Sequence, residues 1–509
     1  MPIRITGLNS GLDTESIISA LVSSYSYKTD KYKKAQTKLS WKQEAWKTLN
    51  TKIYSLYNSV GNLRFSSGYS TKTATVSDST KAKVSVGNGA VNGTQTLQVS
   101  SIAKSGYLTG GEIGDSEVTG QNTLSSLGYS GAGEKIKVTS GVDGKETEIE
   151  ITESMKISDF VQKLNDAGVK ANFDSKNRRI FVSSTETGEK NDFSLKSQSA
   201  GADEALKCLG LLVESTAFDT SDASKYNTNT SRVKATDATI VLNGVEYSSE
   251  TNEFNVNGVS ITALAETGLN EVLSVTVATD AEAIYDNIKD FLSQYNALIN
   301  EMNSLYNADS AKGYEPLTDE EKESMSEEEV EKWEAKVKAS LLRRDDTLES
   351  IISYMQTAMA KTYTINGESY ALSSFGIKTL GYMNAPKNEN NAYHIDGDED
   401  DTATSDNEDK LLVAIKEDPD TVIDFMKQLS TELYNAVDKK MKSTTLSSVY
   451  TVYNDREMAS EYSDYTSTIK KWEEKLKNME DYYYDKFAAM ETAMAKLNSQ
   501  TDSLTGLFG

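Results

Sequence analysis

The chain has 509 residues, of which 37% are hydrophobic and 26% are charged, and its formal net charge is −24. A nucleic-acid partner needs a basic face that neutralises phosphates, so this acidic balance argues against DNA or RNA binding. The single cysteine, Cys208, excludes an intramolecular disulfide. The single histidine, His394, argues against a Ser-His-Asp set or a multi-histidine metal site.

A long amphipathic helix is the first predicted element. Asp13 suits its N-cap, because its carboxylate can accept a hydrogen bond from a free amide of the first turn. From Ile18 onward, apolar or aromatic residues recur at alternating spacings of three and four, interrupted only by Lys28 and Lys42. The repeat comprises Ile18, Leu21, Tyr25, Lys28, Tyr32, Ala35, Leu39, Lys42, Trp46, Leu49, Ile53, Leu56, Val60 and Leu63. A period of 3.5 residues predicts a left-handed coiled coil.

The middle of the chain, residues 73–280, changes to the period of two that is typical of strands. Asn-Gly pairs, a strong hairpin signal, accompany this pattern. They lie at residues 88–89, 92–93, 243–244 and 257–258. The middle of the chain is therefore predicted to be a β-rich insertion, largely antiparallel.

One helix is predicted inside this insertion, over residues 158–168, with Ser158 or Asp159 as its cap. A strand pair at 171–173 and 180–182 follows it. Gly, Ser, Thr and Asp dominate residues 105–145 and 215–235, so we expect loops or domain joints there. Cys208 lies in the apolar run ALKCLGLL and is interpreted as a small buried residue.

After residue 280 the helical pattern returns. A second apolar tract comprises Ile284, Ile288, Phe291, Tyr295, Leu298, Met302 and Leu305. Ser326 and Glu329 have the spacing of a capping box, Asn366-Gly367 predicts a small hairpin, and Pro419 can open a further helix. The C-terminal repeat comprises Tyr462, Tyr465, Ile469, Trp472, Leu476, Met479, Tyr483, Lys486, Met490, Ala493 and Leu497. The simplest arrangement packs these helical tracts into one antiparallel body, from which the two ends of the chain extend as a two-helix stalk.

No catalytic or metal-binding motif is found. The acidic run 396–410 fails as a calcium loop, because Asp401 replaces the required glycine and Asn407 replaces the bidentate glutamate, so a solvated acidic loop is expected. No run of eighteen apolar residues and no signal peptide is visible, which predicts either a cytoplasmic protein or export by a route that needs no such signal. We therefore expect a non-enzyme without cofactors and without membrane insertion.

These patterns predict an α+β multidomain chain with four parts. A terminal coiled-coil stalk would comprise 1–40 and 470–509, and a helical core domain with a small hairpin would comprise 41–72 and 280–469. A β-rich domain would comprise 73–125 and 225–279, and a second β-rich domain, nested within it, would comprise 126–224.

Several stretches resemble one family. The opening GLNSGLDTESII at 7–18 and the segment AVNGTQTLQVSSIAKS at 90–105 are similar to flagellar hook-associated protein 2, the filament cap family. Residues 158–188 resemble the "flagellin hook IN" motif, and 278–303 resemble the family's re-entry helix with its FxxxYN core. Further similar stretches are 314–351, 372–382 and 493–504. The resemblance covers the whole chain.

The resemblance implies a homo-oligomer of five or six copies at the growing filament tip, where it helps exported flagellin to fold and insert and prevents its loss. It also implies secretion through the flagellar type III apparatus, an export chaperone for the C-terminal helix, and flexible feet at Gly7–Gly11 and after Thr501. The alternatives are an adhesin that binds host mucin or glycans and a sibling axial protein of the hook–filament junction. A secreted hydrolase is disfavoured because no catalytic constellation is present.

Within this interpretation, the residues expected to contact other subunits or the filament lie on the two terminal helices. They are Ile18, Leu21, Tyr25, Tyr32, Leu39, Ile469, Trp472, Leu476, Met479, Tyr483, Met490 and Leu497. Because a Leu-sized side chain taken out of water contributes roughly 1.5–3 kcal/mol, seams left open by a two-helix pair favour a partner.

Overall fold

The structure is a computed structural model that describes residues 11–114 and 117–508. The chain divides into two compact units. The first joins the N-terminal residues up to Tyr69 to the segment from Ala281 onward, and the second is Ser70–Asp280. The first unit is mostly helical and the second mostly β, so the predicted α+β multidomain class is confirmed.

The helices and strands are numbered here in chain order. The helices are α1 (Thr14–Leu63), α2 (Ile157–Asp166), α3 (Ala200–Cys208), α4 (Ala281–Tyr306), α5 (Asp319–Glu323), α6 (Glu327–Ala339), α7 (Asp346–Met359), α8 (Lys410–Glu417), α9 (Pro419–Met441) and α10 (Asp455–Phe508). The strands in the first and last parts of the β unit's sequence are β1 (Lys72–Val76), β2 (Ala82–Val86), β3 (Gly93–Ser101), β11 (Ala238–Leu242), β12 (Val245–Ser249), β13 (Glu253–Val256), β14 (Val259–Ala263) and β15 (Leu273–Thr279). Between them lie β4 (Tyr107–Thr109), β5 (Ala132–Thr139), β6 (Glu146–Thr152), β7 (Lys170–Asp174), β8 (Arg179–Ser183), β9 (Ser194–Ser197) and β10 (Ser231–Val233). Short pairs in the helical unit are β16 (Tyr363–Ile365) with β17 (Glu368–Tyr370) and β18 (Ile377–Lys378) with β19 (His394–Ile395).

The core of the helical unit lies among α1, α4, α7, α8 and α9. Trp46, Ile53, Tyr295 and Phe425 are among its fully buried side chains. The predicted body of three heptad tracts is thus only partly right, because α7, α8 and α9 enclose α1 and α4 while α10 packs on α1. Ile469 is the one side chain of α10 that is both apolar and buried among the residues whose burial the structure describes.

Local signals in this unit are confirmed. The Ser326 hydroxyl and the Glu329 carboxylate form a reciprocal capping box at the start of α6. Asn366 and Gly367 adopt positive φ in the turn between β16 and β17, and Pro419 occupies the first turn of α9.

The acidic run 396–410 differs from the solvated loop that its sequence predicts. Asp396 and Asp398 are buried, because each has a cationic partner. Asp396 pairs with Lys378 at 2.8 Å, and the Lys289 ammonium lies 2.6 Å from both Asp398 and Asp400. The loop sequence alone does not indicate these lysines, because Lys289 lies on α4 and Lys378 on β18.

Lys289→Met is expected to lower the free energy of unfolding of the helical unit by about 1–3 kcal/mol, because it leaves the Asp398 carboxylate buried without its cation. Hydrogen bonds to Asp398 and Asp400 raise the pKa of Lys289 to about 12. Since the folded pKa lies above the usual lysine value of about 10.4, this contribution is complete below that value and is lost as pH rises through about 12. Urea unfolding followed by tryptophan fluorescence measures the effect.

The control is Lys332→Met, which removes an exposed i,i+4 pair with Glu328 and is expected to cost less than about 0.5 kcal/mol. Equal effects of the two variants would show that the buried carboxylate does not depend on Lys289.

The β unit has two hydrophobic cores, called outer and inner because the residues of the second are nested within those of the first in the sequence. The outer core lies between two antiparallel sheets, ordered β1-β15-β3-β11-β12 and β13-β14-β2. Two of the four Asn-Gly pairs form the predicted hairpins, at 243–244 and 257–258, with positive φ at both residues. The pairs at 88–89 and 92–93 do not, because β2 and β3 belong to different sheets and the pairs lie along the connection between them.

An inner core is formed by the sheets β10-β4-β8-β7 and β6-β5-β9 together with α2 and α3. The predicted helix and the following strand pair are present. The N-cap of α2 is Lys156 rather than the predicted Ser158 or Asp159, and the Lys156 side chain makes no capping hydrogen bond. Cys208 is half-buried against this core, and burial raises the pKa of its thiol.

The inner core begins and ends further out than the sequence boundaries of 126 and 224. β4 pairs with both β8 and β10, so residues from about 107 to 233 belong to it. The segment 105–145 was expected to be loops because it is rich in glycine, yet it contains β4 and β5. A glycine here serves close packing: a Cβ on Gly110 would lie 2.8 Å from the Ile180 carbonyl oxygen.

Candidate subunit interface on the paired terminal helices

The first and last helices lie side by side and antiparallel. Trp46 stacks on Tyr453 with ring centroids 5.5 Å apart. Further toward the ends of the chain, Tyr32 lies 6.3 Å from Tyr465, and the Lys28 ammonium lies 4.7 Å above the ring of Trp472. Residues earlier in α1 therefore contact residues later in α10, as expected for antiparallel helices. We call the part of this pair formed by residues 14–40 and 470–508 the stalk.

The N-terminus of α1 is capped as predicted. The Asp13 carboxylate accepts a hydrogen bond of 3.0 Å from the Ser16 amide and a second one from the Ser16 hydroxyl. These bonds favour the ionised form and hold the pKa of Asp13 below its usual value, the hydroxyl contributing most. The cap fixes where the helical repeat begins.

Polar contacts set the register between the two helices. Lys33 pairs with Glu473 at 2.8 Å, and the Gln36 side-chain amide donates to the Thr466 hydroxyl at 2.7 Å. Burial and a hydrogen bond to Glu461 raise the pKa of the Tyr465 phenol beside Tyr32. Exposed pairs of this kind contribute little stability individually, so their main effect is on alignment.

The two lysines that interrupt the α1 repeat have structural roles. Lys28 caps the indole of Trp472, which is a cation–π contact. Lys42 pairs with Asp345, the N-cap of α7, at 2.8 Å. Neither residue breaks the seam; each ties α1 to a neighbouring helix.

The twelve residues expected at the interface fall into three groups. Ile18, Leu39 and Ile469 are buried. The half-buried ones are Tyr32, Trp472, Leu476, Met479, Tyr483 and Met490. Leu21, Tyr25 and Leu497 remain exposed, at 37%, 42% and 61%. Two helices alone thus leave most of the repeat partly in water.

Sequence reasoning missed one surface feature of the stalk. Tyr482 falls outside the heptad positions, yet with Tyr25, Trp472, Leu476 and Met479 it lines a groove of about 310 Å³, which Lys475 and Asn478 complete. We call it the stalk groove. The run Tyr482-Tyr483-Tyr484 was the available signal, since only one of three consecutive helical residues can face the partner helix.

Two expectations concern the tips. Residues 7–10 of the predicted N-terminal foot lie outside the described residues. The predicted C-terminal foot after Thr501 is instead helical, because α10 continues to Phe508.

In the described part of the chain, no helix has the length and apolarity needed to cross a membrane. Over the same residues, no group of three or more His, Cys, Asp or Glu side chains is arranged to hold a metal ion.

Comparisons with known proteins point to one family. The family model described as "Flagellar hook-associated protein 2 C-terminus" matches residues 235–499, and the corresponding N-terminus model matches residues 10–106. A flagellar hook-associated protein 2 of Halalkalibacterium halodurans is 26% identical over 99% of this chain and 100% of its own length. That of Thermotoga maritima is 25% identical over 69% of this chain and 52% of its own length. A crystal structure of the flagellar cap protein FliD domains D1-D2-D3 from Escherichia coli, 20% identical, covers 78% of this chain and 96% of its own, with a TM-score of 0.45.

Proposed function

The chain belongs to the flagellar hook-associated protein 2 family, and from this membership we propose how its stalk serves a cap. The protein is a flagellar cap protein, exported and located outside the cell at the distal tip of the filament. Such caps act as oligomers and interact with flagellin. The role of the stalk is to hold neighbouring subunits and the filament end through its open seam.

The observation that carries this proposal is the incomplete burial of a regular repeat. Nine of the twelve seam residues are half-buried or exposed, although their spacing is that of a coiled-coil core. Covering each Leu-sized side chain would contribute roughly 1.5–3 kcal/mol, so a partner that covers several of them is favoured. A third helix, supplied by another chain, completes the core.

The remaining partners and parts follow from the same proposal. The stalk belongs to the predicted terminal part, 1–40 with 470–509, and the predicted helical domain, 41–72 with 280–469, carries it. Five or six copies, a chaperone for the C-terminal helix and contact with mucin or glycans are inferences from the family resemblance. The role is structural rather than catalytic.

We expect the stalk to become protected from hydrogen exchange only on assembly. In the dilute full-length monomer, amides of residues 14–40 and 470–505 should exchange at least about 10-fold faster than in the assembled oligomer, because isolated helix pairs with open seams are marginal in water. The internal reference is α4 and α9, whose apolar faces are buried in the unit's own core, so their exchange should not change.

Hydrogen exchange with mass spectrometry at low and high protein concentration makes this comparison. Strong protection of the stalk in the monomer, equal to that of α4, would mean that no partner is required to complete the seam.

A further inference from the structure

The stalk groove combines an apolar floor with a positive rim. The ammonium groups of Lys28 and Lys475 lie 4.7 Å and 4.3 Å from the centroid of the same Trp472 ring. Beside them Tyr482 is 56% exposed. A surface with this chemistry favours a partner that offers carboxylates next to an apolar recess.

A surface of the opposite character lies on the same unit. Residues 315–339, which include α5 and α6 and which we call the acidic hairpin, contain ten Asp and Glu residues and four Lys. A cleft of about 620 Å³ on this hairpin has an apolar lining of Met325, Val330 and Ala335. Its charged lining residues are Lys322, Glu327, Glu331, Glu334 and Lys338. Both lysines pair with Glu334, at 2.9 Å and 3.6 Å, so Glu327 and Glu331 give the apolar recess a negative edge.

The two surfaces lie on opposite sides of α1. Lys34 pairs with Glu321 at 2.7 Å, and the Lys338 ammonium lies 4.6 Å over the Trp41 ring, so the hairpin covers the face of α1 that carries Lys34 and Trp41. Tyr25 of the stalk groove precedes Lys34 by nine residues, which is about 180° around a helix of 3.6 residues per turn. One copy cannot bring its own hairpin to its own groove.

The acidic start of the cleft and the lysine rim of the groove lie at similar heights along α1. Glu334 pairs with Lys322, next to the Lys34–Glu321 contact, while Lys338 reaches Trp41, so α6 runs in the same direction as α1. At 1.5 Å per residue, the start of α6 lies about 16 Å below Lys338, near the level of Asp30. Complementary patches on different faces of one chain join successive copies head to tail, and such a contact forms a ring when the rotation between copies closes.

We propose that neighbouring copies of this chain join by docking the acidic hairpin of one copy into the stalk groove of the next. Tyr482 enters the cleft floored by Met325 and Val330, while Lys28 and Lys475 pair with Glu327 and Glu331 of the adjacent copy. The proposal rests on the proposed function, since it names the second copy as the chain that covers this part of the stalk.

A charge swap in the full-length chain tests the contact. Lys28→Glu/Lys475→Glu and Glu327→Lys/Glu331→Lys should each weaken self-association at least about 10-fold, because like charges then face each other across the interface. The quadruple variant, with both patches reversed, should restore it to within about 3-fold of the wild type. The matched control is Lys477→Glu, an exposed lysine on the same helix about 200° from Lys475, which should change self-association less than about 2-fold. Sedimentation velocity over a protein concentration series measures the association constants.

Two outcomes would overturn the inference: either double variant self-associating like the wild type, or the quadruple variant failing to recover. The hydrogen-exchange experiment separates these outcomes from a failure of the proposed function. If the charge variants assemble normally and the stalk still gains protection on assembly, the contact is wrong and the seam proposal stands. If the wild type assembles without protecting the stalk, the seam proposal itself fails.

Discussion

Leu21→Asp is expected to abolish filament capping while the β unit, Ser70–Asp280, stays folded. Leu21 continues the heptad between the buried Ile18 and the groove residue Tyr25, and it is 37% exposed in the single chain. An aspartate there can remain hydrated in the free protein, but a partner helix that covers the seam would have to bury its charge, which costs several kcal/mol. The penalty therefore falls on assembly rather than on the fold of the subunit. Leu497→Asp, at the other end of the α10 repeat, is expected to act in the same way.

The measurement is complementation of a strain that lacks the gene. Wild type should restore filaments, whereas Leu21→Asp should leave hooks without filaments and release monomeric flagellin into the medium at the level of the deletion strain. The matched control is Ser19→Asp, which places the same charge at an exposed position of the same helix about 160° from Leu21 and should complement fully. Filaments of normal length with Leu21→Asp would show that this side of the seam does not contact the assembly.

The helical parts of the fold were the most predictable from sequence, because their signals are local. The heptad spacing, the Asp13 cap and the Ser326–Glu329 capping box depend on residues within one or two turns. The structure contains the helix α1 with its Asp13 cap and the capping box at the start of α6. Hairpins closed by Asn-Gly were predictable for the same reason wherever both strands join one sheet.

The errors concern contacts between segments that are distant in the chain. The inner β core was placed too narrowly because β4 is only three residues long and is paired with β8 and β10, about 70 and 120 residues later. From the local sequence alone, the glycines around β4 predict a loop. In the structure they allow close packing against the inner sheet. The buried carboxylates of the acidic run were missed because Lys289 and Lys378 supply their partners from other elements.

The candidate interface shows the same division. Periodicity predicted the twelve seam residues, but it did not indicate Tyr482, whose exposure depends on how α10 is rotated against α1. The opposite charges of the stalk groove and the acidic hairpin are visible in sequence, whereas their placement on opposite sides of α1 follows only from the Lys34–Glu321 and Lys338–Trp41 contacts.

The second large effect is expected from Phe160→Ala, which should unfold the inner β core without changing the helical unit. The Phe160 side chain is completely buried between α2 and the inner sheets, and replacing such a residue by alanine costs about 3–5 kcal/mol. Multidomain chains need not unfold in one step, so this loss should appear as a separate transition rather than as a uniform shift.

The distribution of tryptophan makes the two units separately observable. Trp41, Trp46, Trp333 and Trp472 are the four tryptophans of the chain, and none lies within Ser70–Asp280. In urea, Phe160→Ala should therefore leave the tryptophan fluorescence midpoint within about 0.2 M of the wild type, while the part of the far-ultraviolet circular dichroism change that comes from the β unit moves to lower urea by more than about 1 M. Phe425→Ala is the reciprocal control, because the Phe425 side chain is equally buried in the helical unit, with its ring centroid 5.0 Å from that of Phe375. This variant should shift the fluorescence transition to lower urea.

Coincident shifts of both signals in Phe160→Ala would show that the two units unfold as one, and capping defects of stalk variants could then no longer be separated from loss of the β unit. Separate transitions would have the opposite consequence. A stalk that can be altered without melting the β unit lets Leu21→Asp report on assembly alone, because the same variant would retain the wild-type unfolding of Ser70–Asp280. The stability of Phe160→Ala therefore decides how the capping experiment is interpreted, and it should be measured on the same full-length protein.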